Sequence, residues 1–199
     1  MKTLLLTGFE PFLEFPINPT EKIVKQLDGA LIGNYQIRGL LLPVKYEAAS
    51  ELILAAIDRN EPDAVLSLGL AAGRMSITPE RIAINCRDGA PDNNGVALQD
   101  ASIAEEGPAG YFSKLPIRKF VNALNENGFP AKISDTAGTY LCNNIMYVVL
   151  NRMKGREIPA GFVHIPASHE LAIHKKKEMP SWSDRDLLDA VKVMIGELG

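Results

Sequence analysis

The chain has 199 residues, 46% of them hydrophobic and 23% charged, enough for one domain with a substantial buried core and too little for two full ones. A formal net charge of −3 provides no basic footprint, which argues against nucleic acid and anionic membrane as partners; the short run "HKKKE" at 174–178 reads as a solvated face. No stretch approaches the roughly 20 apolar residues of a spanning helix, and "MKTLLLTGFEPF" is broken too early by Gly8 and Pro11 to be a signal peptide or an anchor.

Taken in chain order, "KTLLLT" (2–7) reads as a buried strand. A helix follows in "NPTEKIVKQLDG", with Asn18 as the cap, Pro19 at the first helical position, Glu21 in the first turn and Gly29 closing it. Residues 35–44 form a second strand, 46–60 a helix with apolar spacing near 3.6, and 63–69 a third strand. "ERIAIN" (80–85) alternates like a strand, and "CRDGAPDNNG" (86–95) is loop by its Gly, Pro, Asn and Asp content. Then come a helix at 116–127, a strand in "AKIS" (131–134), a helix beginning around Cys142, the strand "GFVHI" (161–165) and a last helix over 183–198. Such alternation predicts an α/β fold, a sheet layered between helices, in a single domain spanning 1–199.

Reactive groups of open α/β sheets gather where strands end and loops begin. Cys142 falls just past "AKIS" and the loop "DTAGT", in the first turn of a helix, where the positive end of the helix dipole favours a thiolate. Ala137 and Gly138 leave room for a substrate carbonyl to approach backbone N–H groups. The competing reading is a packed thiol, the usual state of a cysteine with no reactive partner. With only two cysteines, Cys86 and Cys142, no disulfide framework is expected; the expected compartment is the reducing cytoplasm. Cys86 lacks the helix-start setting and reads as structural or merely exposed.

A nucleophilic thiol needs a base that later protonates the leaving amine. Of the three histidines, His164 ends a predicted strand, whereas His169 and His174 lie in a polar segment among lysines; their spacing of five residues matches no common zinc pattern. A carboxylate must then hold the imidazole in the correct tautomer. Glu80, at the start of a strand beside a loop, is one candidate, but Asp88, Asp92 and Asp135 are not separated from it by spacing or propensity.

The blocks "GRMSITPERIAIN", "SDTAGTYLCNN" and "GFVHIP" resemble, in order and separation, the three active-site blocks of the pyroglutamyl peptidase I family, the pyrrolidone-carboxylate peptidases. "LLTGFEPF" with "NPT" extends the likeness over nearly the whole chain. The resemblance implies a three-layer α/β/α sandwich with a twisted, largely parallel sheet. It also implies a cysteine exopeptidase that removes N-terminal pyroglutamate from peptides through an acyl-enzyme. Cys142 would be the nucleophile, His164 the general acid and base, and Glu80 the orienting residue; no metal or organic cofactor belongs to this chemistry. Phe9 and Phe12 resemble the aromatics that pack the lactam ring, and Asn18 a nearby polar residue, against the plainer reading of core packing and a helix cap. Homo-oligomers, tetrameric or smaller, occur in the family.

Two departures from the family pattern stand out. Leu70 in "GLAAGR" replaces a usual glutamine, and "RDGAPDN" replaces a common "DARIPDN", leaving Arg87 as the basic residue that would substitute from a shifted position. They motivate one rival reading, a related cysteine amidase acting on another small lactam or acyl amide; a non-catalytic binder that keeps the fold and senses pyroglutamyl peptides is a second alternative.

Overall fold

The first apolar run, β1 (Lys2–Phe9), lies near the middle of a six-stranded sheet in the computed structural model, which describes residues 1–12, 15–175 and 178–199. Two lysines of the basic run at 174–178, Lys176 and Lys177, lie outside the described residues. The chain continues through α1 (Pro19–Leu27), β2 (Leu31–Ile32), β3 (Tyr35–Leu42), α2 (Tyr46–Asn60) and β4 (Ala64–Leu70). Next come β5 (Thr78–Pro79), β6 (Ile82–Ile84), β7 (Gly110–Phe112), α3 (Ile117–Glu126) and α4 (Leu141–Arg152). It ends with β8 (Ala160–Ile165), β9 (Ala167–Ser168), α5 (His169–Lys175), β10 (Ser181–Trp182) and α6 (Asp184–Gly196). The sheet order is β2-β3-β1-β4-β8-β5; β3, β1, β4 and β8 are mutually parallel, and the short edge strands β2 and β5 run antiparallel to their neighbours.

Alternation of side chains along each strand sorts them into two cores. Leu4 and Leu6 of β1, Leu66 and Leu68 of β4, and Val163 and Ile165 of β8 pack under α1, α3 and α6 with Ile23, Phe120, Leu187 and Val191. Leu5, Val65 and Phe162 point the other way, into a second core with Ile53 and Ile57 of α2 and Ile145, Met146 and Val149 of α4. The three-layer single domain expected from alternation and resemblance is what forms. Its strands are apolar on both sides because both faces are covered.

Local signals place the element ends. Asn18 caps α1 by accepting from the Thr20 N–H at 3.1 Å, and Ser183 caps α6 through the Asp186 N–H at 3.0 Å. Two sequence expectations change. The strand expected at 80–85 is shorter: β6 covers Ile82–Ile84 and pairs with β7 in a separate two-stranded ribbon, and Glu80 lies between it and β5, which pairs with β8. Residues 131–134 are not a sheet strand but make isolated bridges, Ala131 with Ile77 and Ser134 with Glu80. Pro79 has no N–H to give, which limits the ladder this edge can build.

The chain leaves β1 toward β3 by way of α1 on one face, and passes from β3 to β4 by way of α2 on the other. The crevice beyond the carboxyl ends of β1 and β4 is therefore the switch point of the sheet, where open α/β folds place their ligands.

Candidate active site

His164 falls on the same side of β8 as Phe162, toward α4, and the two rings lie 5.0 Å apart. The antiparallel pairing of β5 with β8 sets Thr78 opposite His164 and Pro79 opposite Val163, and the Glu80 N–H donates to the Phe162 carbonyl at 2.9 Å. This brings the Glu80 carboxylate beneath the imidazole, with Oε1 2.7 Å from Nδ1. Glu80 is fully buried, and its Oε1 also accepts from Arg74 Nη1 at 2.7 Å, while Oε2 has no partner among the described residues.

Cys142 is the second residue of α4, partly exposed, where the first N–H groups of a helix lack intrahelical acceptors and the dipole favours negative charge. Its sulfur acts on the imidazole from the side away from Glu80: Nδ1 faces the carboxylate, so Nε2 is the nitrogen left for sulfur. Burial opposes a charged His164. The negative charge and hydrogen bond of Cys142, together with the bond and charge of Glu80, outweigh that penalty and lift the pKa from 6.5 to about 9. The ring of His164 is therefore an imidazolium near neutral pH.

Two asparagines after the cysteine hold the helix start in place. Buried Asn143 accepts from the Ile84 N–H and donates to the carbonyls of Ile84 and Cys86, each at 2.9 Å. Asn144 accepts from Arg87 Nε and donates to Ser50 Oγ, both at 2.8 Å. Gly69, opposite His164 in the β4–β8 register, makes room for the sulfur: a Cβ there would stand 2.6 Å from Phe162 Cζ and 3.1 Å from Cys142 Sγ. Gly69→Ala is expected to cost roughly 1–3 kcal/mol by overpacking and to lower kcat by pushing sulfur off the imidazole. Thermal unfolding and steady-state rates would show both losses, and unchanged values would rule out this packing.

Beside the sulfur lies a small, narrow crevice lined by Phe9, Phe12, Asn18, Leu70, Tyr140 and Cys142, with Val44 and Leu141. It sits at the switch point, since Phe9 ends β1 and Leu70 ends β4. Its walls are aliphatic and aromatic, with no acidic side chain among the lining residues. Leu70, the family departure, extends the apolar wall and packs on Ala167 and Leu171. Asn18 lines the crevice as well as capping α1; its Oδ1 takes the Thr20 N–H and hydroxyl, and its Nδ2 donates to the Glu10 carbonyl at 3.2 Å.

A family model described as pyroglutamyl peptidase matches residues 1–198. The chain belongs to the pyroglutamyl peptidase family. It is 52% identical over 198 residues to a pyrrolidone-carboxylate peptidase of Halalkalibacterium halodurans, covering 98% of each protein. It is 54% identical to one of Lysinibacillus sphaericus, covering 99% of this chain and 97% of the relative. The solved pyrrolidone carboxyl peptidase of Thermococcus litoralis superposes with a TM-score of 0.96 at 38% identity, covering 100% of this chain and 93% of that one.

The remaining candidates of this pyroglutamyl peptidase family member fall elsewhere. Arg87 does not reach the crevice: it is buried against Asn144, pairs with Glu47 at 2.7 Å and lies over the Tyr46 ring. Asp92 accepts the N–H groups of Asn94 and Val96 and so shapes its turn, Asp88 is exposed, and Asp135 pairs with Arg81 on the surface. His169 and His174 are exposed, and the Gly138 N–H is already taken by Thr136 Oγ1 at 3.0 Å. Among the described residues no helix is long and apolar enough to cross a membrane. Sequence reasoning assigned nothing to Gly69, Arg74, Val44, Tyr140 or Leu141. The glycine closing an apolar strand and the tyrosine two residues before the cysteine are the signals in retrospect.

Proposed function

We propose that Cys142, His164 and Glu80 are nucleophile, general acid–base and orienting carboxylate for hydrolysis of the amide bond after an N-terminal pyroglutamyl residue. Family membership supplies the reaction: the chain is a cysteine peptidase that removes pyroglutamate from peptides. The observation that supports the roles is the continuous line from the Cys142 side chain through the imidazole to a fully buried carboxylate, with a small apolar crevice against the sulfur.

The thiolate attacks the pyroglutamyl carbonyl carbon, and the oxyanion that forms is held by the free N–H groups at the start of α4. The imidazolium gives its Nε2 proton to the departing peptide amine as the C–N bond breaks, leaving a thioester on Cys142. Neutral His164 then takes a proton from water, which attacks the thioester; the thiolate leaves and free pyroglutamate is released. Glu80 holds Nδ1–H throughout and balances the charge that the ring carries in the first step.

The crevice suits an uncharged five-membered lactam. Its few polar groups would be left unpaired by proline, whose ring lacks the lactam carbonyl and which brings a charged amine instead. A pyroglutamyl fluorogenic amide should be cleaved at least about 100-fold faster, in kcat/KM, than prolyl and glutaminyl analogues. Equal rates would overturn the lactam assignment. Both thiols are free, which supports a reducing, cytoplasmic setting.

A further inference from the structure

A carboxylate with no exposed surface stays ionised only if a compensating charge is held beside it. His164 does this only part of the time, because the ring gives up its proton to the leaving amine and regains it from water. During the interval when the ring is neutral, Glu80 needs another cation. Arg74 is placed for it. Its Nη1 lies 2.7 Å from the same Oε1 that meets Nδ1, and also bonds Thr78 Oγ1, whose residue is paired opposite His164 in the sheet. The turn after β4 presents this guanidinium, with the Arg74 N–H bonded to the Ala71 carbonyl at 2.9 Å.

The groups facing Glu80 are few among the described residues. His164 comes from β8 and Arg74 from the turn, with Cys142 of α4 beyond the imidazole. The next residue, Arg81, is engaged with Asp135 at 2.5 Å. Arg74 is one-third exposed and opens onto a cleft shared with Ser76, Lys132 and Ser134, distinct from the lactam crevice.

We propose that Arg74 is a positioning residue that keeps Glu80 ionised and aimed at His164 through the whole catalytic cycle, acting from behind the carboxylate and without touching substrate. This rests on the triad assigned above. Guanidinium suits the task because it is always charged and its Nη1 carries two hydrogens, one for the carboxylate oxygen and one for the Thr78 hydroxyl.

The test compares Arg74→Ala, Arg74→Lys, Glu80→Gln and the Arg74→Ala/Glu80→Gln pair against the unmodified enzyme, using a pyroglutamyl amide across pH. Arg74→Ala should lower kcat roughly 10- to 100-fold near neutral pH with KM within about twofold. The acid limb of kcat/KM should move up by about one pH unit or more, because the unescorted carboxylate takes up a proton sooner. Arg74→Lys should recover most of the rate, and added guanidinium, entering by the open cleft, should partly rescue Arg74→Ala but not the double variant. The double variant should be no slower than Glu80→Gln alone. An acid limb identical to that of the unmodified enzyme, or full additivity in the double variant, would overturn the proposal. If the unmodified enzyme fails to cleave the amide, the triad assignment falls instead. The pH dependence of Cys142 alkylation by iodoacetamide, read by mass spectrometry, then still reports whether Arg74 governs the Glu80–His164 unit.

Discussion

Cys142→Ser is expected to fold normally, to hold substrate with KM little changed, and to lose on the order of 10⁴ to 10⁶ in kcat. The loss is chemical and not structural. A serine hydroxyl fills the space left by Gly69 without crowding Phe162, and the crevice walls from Phe9, Phe12 and Leu70 do not depend on the sulfur. What disappears is the sulfur nucleophile. His164 is arranged to be an imidazolium, its pKa lifted to about 9 largely by the negative sulfur beside it, after the opposing effect of burial. A neutral hydroxyl removes that support, and the ring would have to extract a proton from a group far less acidic than a thiol. Steady-state kinetics with a matched thermal unfolding curve would check both halves. A residual rate within tenfold of the unmodified enzyme would mean that Cys142 is not the nucleophile.

Glu80→Gln should lower kcat by on the order of 10³ to 10⁴. The amide can keep an oxygen where Oε1 now accepts from His164 and Arg74, so the ring stays in place. Its negative charge is gone, however, and the NH2 group would occupy the Oε2 position, which has no partner among the described residues. The direction of the pH effect follows from the signs. Glu80 is among the groups that raise the pKa of His164, so its neutralisation lowers that value. The protonated ring needed by the leaving amine is present below its pKa and lost above it. In the unmodified enzyme kcat/KM should therefore fall as pH rises through about 9, and in Glu80→Gln the same limb should move to lower pH. An unmoved alkaline limb would show that the carboxylate does not govern the imidazole.

The apolar character of the crevice bears on the replacement at position 70. Leu70 lies at the end of β4 with its side chain against the α5 region, packed on Ala167 and Leu171, and contributes wall and not hydrogen bonds. Of the polar side chains in the crevice wall, Tyr140 gives its hydroxyl to the Pro91 carbonyl at 3.1 Å. Asn18 has committed its oxygen to Thr20 but keeps a second N–H beyond the one given to Glu10. The altered loop at 87–91 serves structure: Arg87 is spent on Asn144 and Glu47, anchoring the helix that carries the cysteine.

Composition, periodicity and cap residues were enough to define an α/β domain and to set Cys142 in the first turn of a helix, because helix starts and apolar alternation depend on neighbours a few residues away. The motif blocks carried the family, and with it Glu80 over its acidic rivals, a choice that spacing alone left open. Only tertiary structure sets that carboxylate against the imidazole. Glu80 and His164 are 84 residues apart, and they meet because an edge strand of two residues, Thr78–Pro79, runs antiparallel to β8 just before the segment where alternation pointed to a strand. The same holds for the Arg74 contact behind the carboxylate, the space that Gly69 leaves for sulfur, and the three backbone bonds of Asn143. Each is a close approach between distant segments, fixed by sheet order and helix packing, which no local pattern encodes.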